Sequence, residues 1–281
     1  MLKKIIALSA LLACGAASAF APQAGTWVID SENNGQPGRG FGLDVQDSTL
    51  VMQMYGYEQN GNPTFYLSAG SYTNDQYSGP LNQYRGGRYL GSGDRNGTPT
   101  GNAGTVNMRF TSGTTGFITF PGEPEKAISR FNFAYSNSPQ SLRGIWLFTP
   151  LTSLAPTSDF VALDQIIAGT STGNGIVASQ NGRFGCENQI SGELAGSVLC
   201  VRVTASGTLE RAYRIIYSVN DGEGVMINST GSSSWMAVAR RLGNTSMVGT
   251  GPIIKSEEVT QVDEENLRNH LASAVQLLQG Q

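Results

Sequence analysis

Two copies of a Gly-x-Trp motif, Gly25-Thr26-Trp27 and Gly144-Ile145-Trp146, open the two halves of this sequence. Each half closes on arginine, with Ile128-Ser129-Arg130 at the end of the first and Val238-Ala239-Arg240-Arg241 at the end of the second. Each half thus has a Gly-x-Trp motif at its start and an arginine at its end, which indicates a tandem duplication of one structural unit. A single large sandwich or barrel is the alternative.

Between the Gly-x-Trp motif and the closing arginine of each half, short runs of β-branched and aromatic residues alternate with Gly, Asn, Ser and Asp. Residues 41–45 alternate in polarity, Asp47-Ser48 supplies a turn, residues 50–57 form the returning run, and Asn60-Gly61 supplies the next turn. Period-two runs joined by such turns are typical of β-hairpins, and repeated hairpins without helices between them predict an antiparallel sandwich or barrel. The polar residues 86–104 predict a long loop at one end of the sheet.

Gly-x-Trp on a first strand with arginine on a last strand resembles the signature of the calycin group, the lipocalin-like and avidin-like barrels. The resemblance implies that Trp27 and Trp146 each plug one end of a barrel. It also implies that Arg130 lies across the first ring, and Arg240 or Arg241 across the second, in a cation–π contact worth roughly 0.5 to 2 kcal/mol. The arrangement is also similar to uncharacterised secreted bacterial proteins with Gly-x-Trp openings and Tyr-rich hairpins, from which no activity follows.

We therefore predict an all-β fold with two tandem antiparallel, calycin-like β-barrel domains and a C-terminal amphipathic α-helix. The predicted boundaries are a signal peptide at 1–19, a first barrel-like domain at 20–135, a second at 136–250 and the helix at 256–281.

The C-terminal segment has the pattern of an amphipathic helix. Its residues Leu267, Leu271, Ala274 and Leu278 fall at steps of four, three and four, so they form one apolar stripe. The stripe predicts a helix docked on its own barrel. Pairing with an envelope protein partner or with a second copy of the chain is the alternative.

The N-terminal residues carry the features of an export signal. Lys3 and Lys4 form a positive head, residues 5–13 are apolar, and Ala17-Ser18-Ala19 fits a signal-peptidase site. We expect a periplasmic or extracellular protein. In the alternative, Cys14 lies in a lipobox-like sequence and is lipidated, which would give an outer-membrane-anchored lipoprotein.

Composition limits the possible partners. Charged residues make up only 14% of the chain, and beyond the signal the basic residues are scattered singly, apart from Arg240-Arg241. Without a basic stripe to follow a phosphate backbone, nucleic-acid binding is not expected. The sequence also lacks an apolar run of about 18 residues or more, so no membrane-spanning helix is predicted.

Three cysteines are present, and Cys14 belongs to the predicted signal. The remaining pair, Cys186 and Cys200, is expected to form a disulfide in an oxidising compartment. A loop of about 15 residues closed in this way is worth roughly 3 kcal/mol. A redox or metal role would need Cys-x-x-Cys spacing or nearby histidines, which the sequence lacks.

Motifs for enzymatic chemistry are missing. The only histidine, His270, lies in the polar stretch of the predicted helix, where we expect it to be solvated, so neither a Ser-His-Asp triad nor a histidine-rich metal site is predicted. Nucleotide-binding and α/β-hydrolase motifs are also absent. We predict no cofactor and no metal.

Carboxylates are the remaining catalytic candidates. Asp221 and Glu223 lie close together in the sequence, and Glu187 and Glu193 lie near the predicted disulfide. Paired carboxylates suffice for glycoside hydrolysis, and Asp221 with Glu223 could also bind calcium. The simpler interpretation of residues 220–224 is a hairpin turn.

Tyrosines are concentrated in the first half of the chain. Tyr55, Tyr57, Tyr66, Tyr72 and Tyr77 are mixed with Asn, Gln and Gly, a composition suited to binding sugars or amphipathic ligands. Cross-strand aromatic packing is the simpler interpretation of these residues, and a surface for a ligand or partner is the competing one.

The favoured function is therefore that of a non-catalytic secreted or envelope-associated binding protein for a glycan, a small apolar ligand or an envelope partner. One alternative is a carbohydrate-active enzyme that uses paired carboxylates. The other is a purely structural envelope protein, which solidly packed barrel interiors together with an apolar patch left exposed by the helix would favour.

Overall fold

The computed structural model describes residues 21–152, 158–249 and 264–279. The predicted signal peptide at 1–19, Cys14 and residues 256–263 of the predicted helix lie outside the described residues. The described chain forms two antiparallel β-barrels and one α-helix, so the predicted all-β fold with a C-terminal helix is confirmed. This topology excludes one large barrel or sandwich.

The first barrel is a closed meander of eight strands, in which each strand pairs with the next and the last pairs with the first. Its turns at Asp47-Ser48 and Asn60-Gly61 lie where the sequence predicts them. The strands are β1 (Gly25–Ile29), β2 (Gly40–Gln46), β3 (Thr49–Tyr57), β4 (Pro63–Thr73), β5 (Gln76–Arg85), β6 (Thr98–Phe110), β7 (Thr115–Thr119) and β8 (Lys126–Arg130).

Residues 98–104 differ from the loop expected for them, because they form the first part of β6. Thr98 pairs with Arg85 and Gly101 with Gln83 on β5. The polar side chains of this segment are mostly exposed, while its backbone pairs on one side with β5. The polar composition therefore reflects an exposed strand, and the connecting loop is confined to residues 86–97.

The second barrel has nine strands and is nearly closed. The strands are β9 (Gly144–Pro150), β10 (Asp159–Leu163), β11 (Gln165–Ile167), β12 (Gly173–Ala178), β13 (Phe184–Gln189), β14 (Val198–Val203), β15 (Leu209–Ser218), β16 (Asp221–Asn228) and β17 (Ser234–Gly243). β10 pairs with β9 and β11 with β12, so these two short strands form the two ends of the sheet.

The two barrels repeat one topology. Only Asp164 separates β10 from β11, and its amide donates a hydrogen bond to the carbonyl of Ala178 at 3.0 Å. If β10 and β11 are taken as one bent strand, the second barrel becomes an eight-stranded meander like the first. Trp27 then corresponds to Trp146, since each lies on the first strand and pairs with the last.

Both barrel interiors are filled by side chains. In the first, Trp27, Leu50, Met52 and Ile118 have no exposed surface. In the second, aromatic rings meet at the centre, with 5.0 Å between the ring centroids of Phe148 and Phe184. A cavity of about 10 Å³ remains beside them, which is room for about one water molecule.

The helix α1 (Glu264–Gln279) packs on the outside of the second barrel, over β13, β14 and β15. Leu267, Leu271 and Ala274 have no exposed surface and join Leu199 and Val201 in a second apolar core. This is the predicted docking of the helix on its own barrel. Within the described part of the chain, no helix has the length and apolar character of a membrane span.

His270 is not simply solvated, as the sequence led us to expect. Its Nε2 donates a hydrogen bond to the carbonyl oxygen of Gly207 at 2.7 Å, and Asn266 Nδ2 donates to the same oxygen at 3.0 Å. Gly207 lies in the turn between β14 and β15. The histidine therefore helps to fasten the helix to the barrel.

The predicted disulfide between Cys186 and Cys200 is confirmed. The two residues are direct partners on β13 and β14, and both side chains belong to the interior core of the second barrel. We expect replacement of both cysteines by serine to lower the free energy of unfolding by about 3 kcal/mol, because the unfolded chain regains the entropy of the open loop. Chemical denaturation of the oxidised, reduced and substituted proteins measures this. Equal midpoints for the oxidised and reduced proteins would contradict it.

A network of four charges in the first barrel joins the segments that follow β1 and β7 to the starts of β2 and β8. Arg39 and Lys126 each contact both Glu32 and Glu123, and the guanidinium of Arg39 lies 4.6 Å from the ring centroid of Phe120. The hydrogen bonds from Arg39 lower the pKa of Glu123 from 4.5 to about 2.

Because the folded pKa of Glu123 lies below its unfolded value, this network stabilises the barrel above about pH 4.5 and is lost as the pH falls towards 2. The side chains are partly exposed, so we expect a contribution of only about 1 kcal/mol. Urea denaturation at pH 6 and pH 3 should show a smaller loss of stability for Glu123→Gln than for the wild type. An equal loss in both proteins would contradict the assignment.

Candidate functional site

The Trp146 end of the second barrel is built around a buried arginine. The Arg241 guanidinium lies between two rings, 4.2 Å from the centroid of Trp146 and 4.4 Å from that of Tyr135. It also donates hydrogen bonds to the backbone carbonyls of Ser141 at 2.6 Å, Val219 at 3.2 Å and Arg143. Burial lowers the pKa of Arg241. These contacts are those of a structural plug.

Arg130 occupies the corresponding position in the first barrel, but within the described chain it forms no cation–π contact with Trp27 like the one between Arg241 and Trp146. It is the direct strand partner of Trp27, and its guanidinium donates to the carbonyls of Ala24 at 3.1 Å and Thr26 at 2.8 Å. Gly25 has φ +125°, and a Cβ there would overlap this guanidinium. The glycine of the Gly-x-Trp motif therefore makes room for the arginine.

Arg240, the second arginine considered for Trp146, lies on the outside of the barrel. Its Nη1 is 2.6 Å from Asp221 Oδ1, and both side chains are exposed. Strand alternation explains the difference, because adjacent residues of β17 point to opposite sides of the barrel wall.

The acidic candidates are engaged in separate contacts. Glu187 has no exposed surface, and its carboxylate accepts hydrogen bonds from the amide of Thr170 at 2.8 Å, the hydroxyl of Thr170 at 2.6 Å and Gln189 Nε2 at 3.1 Å. Gly175 contributes a further amide at 3.3 Å. Glu193, by contrast, is exposed. Through these hydrogen bonds, the Glu187 carboxylate holds the connection between β11 and β12 in place.

Asp221 and Glu223 take part in the contact between the two barrels. Gln23 Nε2 donates to the carbonyl of Asp221 at 2.7 Å, and the amide of Gly113 donates to Glu223. Burial raises the pKa of Glu223, and the charge of Asp75 raises it further. The turn predicted at 220–224 lies slightly earlier in the chain, at residues 219–220, because β15 ends at Ser218 and β16 begins at Asp221.

The five predicted tyrosines are divided between the two sides of the first barrel wall. Tyr77 is 2% exposed, and its hydroxyl lies 2.6 Å from that of Ser68 inside the barrel. Tyr66 and Tyr72 also pack against the interior core. Only Tyr55 and Tyr57 point outward, with 65% and 53% of their surface exposed. Tyr66 follows the outward-facing Phe65 on β4, so strand alternation points its side chain to the inner side of the wall.

An aromatic row forms on the outside of the barrel around Tyr55. Tyr55 is the direct cross-strand partner of Phe65 on β4, and Phe65 is 44% exposed. Leu67 on β4 pairs with Asn82 on β5. Because the strands are antiparallel, the same register two residues further along places Tyr84 opposite Phe65. We call Tyr55, Phe65 and Tyr84 the aromatic row.

A polar cleft of about 550 Å³ lies further along the same outer surface, across β4, β5, β6 and β7. Strand alternation brings its side chains together, because Gln76 pairs with Arg109 and Ser78 with Asn107. Asn107 in turn pairs with Thr119. The cleft therefore depends on four strands that are separated in sequence by up to about 50 residues.

Most groups that line the polar cleft are uncharged donors and acceptors. They are the amides of Asn74, Gln76 and Asn107 and the hydroxyls of Ser71, Thr73, Ser78 and Thr119. Within the part of the chain that the structure describes, none of these seven side chains has a hydrogen bond to another protein group. All seven remain available to a ligand.

The polar cleft also contains one ion pair. Arg109 forms two hydrogen bonds with Glu125, at 2.7 and 2.8 Å, and its guanidinium lies 3.7 Å from the ring centroid of Phe117. The two charges compensate each other, so the cleft as a whole is neutral. Its recognition chemistry is that of amides, hydroxyls and one planar cation.

Sequence reasoning missed the polar cleft and a buried cluster in the second barrel. In this cluster Asp159, which is 2% exposed, accepts two hydrogen bonds of 2.9 Å from Arg211 and one of 2.6 Å from the hydroxyl of Tyr213. Both features depend on pairing between distant strands. To find the cleft and the cluster from the sequence, the register between these strands would have to be predicted first.

Among the described residues, no three His, Cys, Asp or Glu side chains are grouped so as to hold a metal ion. No protein family model matches the chain, and the search of curated proteins gave no significant match.

Proposed function

We propose that this protein binds an uncharged glycan, without catalysis, through the polar cleft on the first barrel. The observation that carries this proposal is the set of seven unpartnered amide and hydroxyl side chains around a space of about 550 Å³. Small-molecule sites commonly have volumes of about 300 to 1,000 Å³. Each amide can both donate and accept hydrogen bonds, which matches the hydroxyl groups of a sugar.

Charge supports a neutral ligand. Arg109 is held by Glu125, so an acidic sugar would gain the attraction of one group and meet the repulsion of the other. The exposed face of the cleft offers no cluster of like charges. We therefore expect neutral hexose or N-acetylhexosamine chains, and export to the periplasm or the cell surface would bring the protein to such chains.

The packed interiors weigh against an apolar ligand inside the barrels, since the interior cavity of the second barrel measures about 10 Å³. A second candidate function is that of an envelope protein that docks to another protein. It is favoured by the exposed apolar side chains Phe160, Met236 and Val238 on the outer face of β10 and β17.

A glycan array followed by calorimetric titration tests the proposal. We expect Gln76→Ala and Asn107→Ala each to weaken binding of a neutral oligosaccharide by about tenfold, since each removes a ligand hydrogen bond worth roughly 1 kcal/mol or more. Gln165→Ala removes an exposed amide from the second barrel and is the matched control. Unchanged affinity in both cleft variants would contradict the proposal.

A further inference from the structure

The outward face of the β4–β5 hairpin is a continuous uncharged strip. Its outward positions are the odd-numbered residues 65–73 of β4 and the even-numbered residues 76–84 of β5, because Tyr72 and Tyr77 lie on the inner side. None of these positions carries a charge. The eight steps from residue 65 to residue 73 correspond to a length of about 27 Å.

The two ends of this uncharged strip have different chemistry. The aromatic row crosses one end, where Tyr55 and Phe65 are exposed, and the polar cleft occupies the other, with Ser71 and Gln76 on its wall. Between them, the side chains of Ala69 and Pro80 are small and present no charge. Ala69 is exposed and Pro80 is partly exposed, so an extended ligand that runs along the hairpin can contact both.

We infer that the uncharged strip binds a glycan chain, with sugar rings stacked on the aromatic row while other sugars of the same chain occupy the polar cleft. This inference rests on the proposed glycan-binding function and extends it from a short saccharide to a polymer. Exposed aromatic rings offer flat apolar faces to sugar rings, and tyrosine hydroxyls add hydrogen bonds.

Two features favour a glycan over an extended peptide. Both strands of the strip are paired on each side, β4 with β3 and β5, and β5 with β4 and β6, so the strip offers no free strand edge on which a peptide could add as another strand. The strip also lacks the charged groups that commonly select a peptide by its side chains. Stacking and amide contacts along a neutral surface suit a repeating, uncharged polymer.

The test is calorimetric titration with neutral β-1,4-linked glucose and N-acetylglucosamine oligosaccharides, from disaccharide to hexasaccharide. We expect wild-type affinity to rise about tenfold or more with chain length, as the chain reaches the aromatic row. The double variant Tyr55→Ala/Phe65→Ala should bind the disaccharide like the wild type but lose the gain for longer chains. Phe133→Ala, an exposed aromatic outside the strip, is the matched control and should keep the gain.

Affinity that does not change with chain length, while the disaccharide still binds, would overturn the chain inference and leave the proposed function intact. Failure to bind any oligosaccharide would remove the proposed function itself. Sedimentation provides the second readout. If the wild type dimerises and the Tyr55→Ala/Phe65→Ala protein is monomeric, the strip is an interface between two copies, and the inference is overturned.

Discussion

Replacement of Arg241 by alanine is expected to lower the free energy of unfolding by about 3–5 kcal/mol, because three carbonyl groups lose their charged donor and a large buried side chain is removed. Arg241 is 6% exposed. Its loss would leave the carbonyls of Ser141, Arg143 and Val219 without their charged donor, and each such hydrogen bond is worth roughly 1.5–3 kcal/mol. The space between the rings of Trp146 and Tyr135 would also be left unfilled.

The neighbouring residue provides the control for this experiment. Arg240 is exposed, and its ion-pair partner among the described residues is Asp221, so we expect Arg240→Ala to change stability by less than about 1 kcal/mol. The two variants remove the same side chain from adjacent positions on opposite sides of one strand. Urea denaturation compares them directly, and equal losses would show that Arg241 does not hold the end of the barrel together.

Replacement of Glu187 by alanine should have a similarly large effect, about 3–5 kcal/mol. The variant leaves a cavity and removes the acceptor for two backbone amides, one hydroxyl and one side-chain amide. Glu187→Gln should cost less, about 1–3 kcal/mol, because it keeps the volume but turns an amide NH₂ towards these donors.

Glu193→Ala is the matched control for Glu187, since Glu193 is an exposed glutamate near the same disulfide. We expect it to stay within about 0.5 kcal/mol of the wild type. Thermal and urea denaturation measure the series. A stable, fully folded Glu187→Ala protein would mean that the carboxylate has no structural part, and would make Glu187 a functional candidate again.

Much of the fold could be predicted because its signals are local. The alternation at 41–45 and the turns at 47–48 and 60–61 lie within single hairpins, and the apolar stripe of the helix lies within four turns. The two Gly-x-Trp motifs revealed the repeat. A Cβ at Gly25 would overlap Arg130, and a Cβ at Gly144 would meet the carbonyl oxygen of Gly243 and come close to Arg241, so both glycines allow close approach at the end of a barrel.

The candidate site could not be predicted in the same way. Clustering in the sequence grouped Tyr66 and Tyr77 with Tyr55, yet a shift of one residue puts a side chain on the opposite side of a barrel wall. The polar cleft depends on register between strands such as β5 and β6, where bulges near Pro80 and Gln83 change the pairing. A bulge of this kind leaves little trace in composition.

The central claim is that the polar cleft of the first barrel binds a neutral glycan. Its most direct test is a titration of the isotopically labelled protein with a neutral β-1,4-linked tetrasaccharide, followed by nuclear magnetic resonance of the side-chain amides. We predict that the signals of Asn74, Gln76 and Asn107 shift together in a saturable way, while that of Gln165 stays in place. Saturable shifts confined to other surfaces, or no shifts across the neutral glycans tested, would contradict the claim.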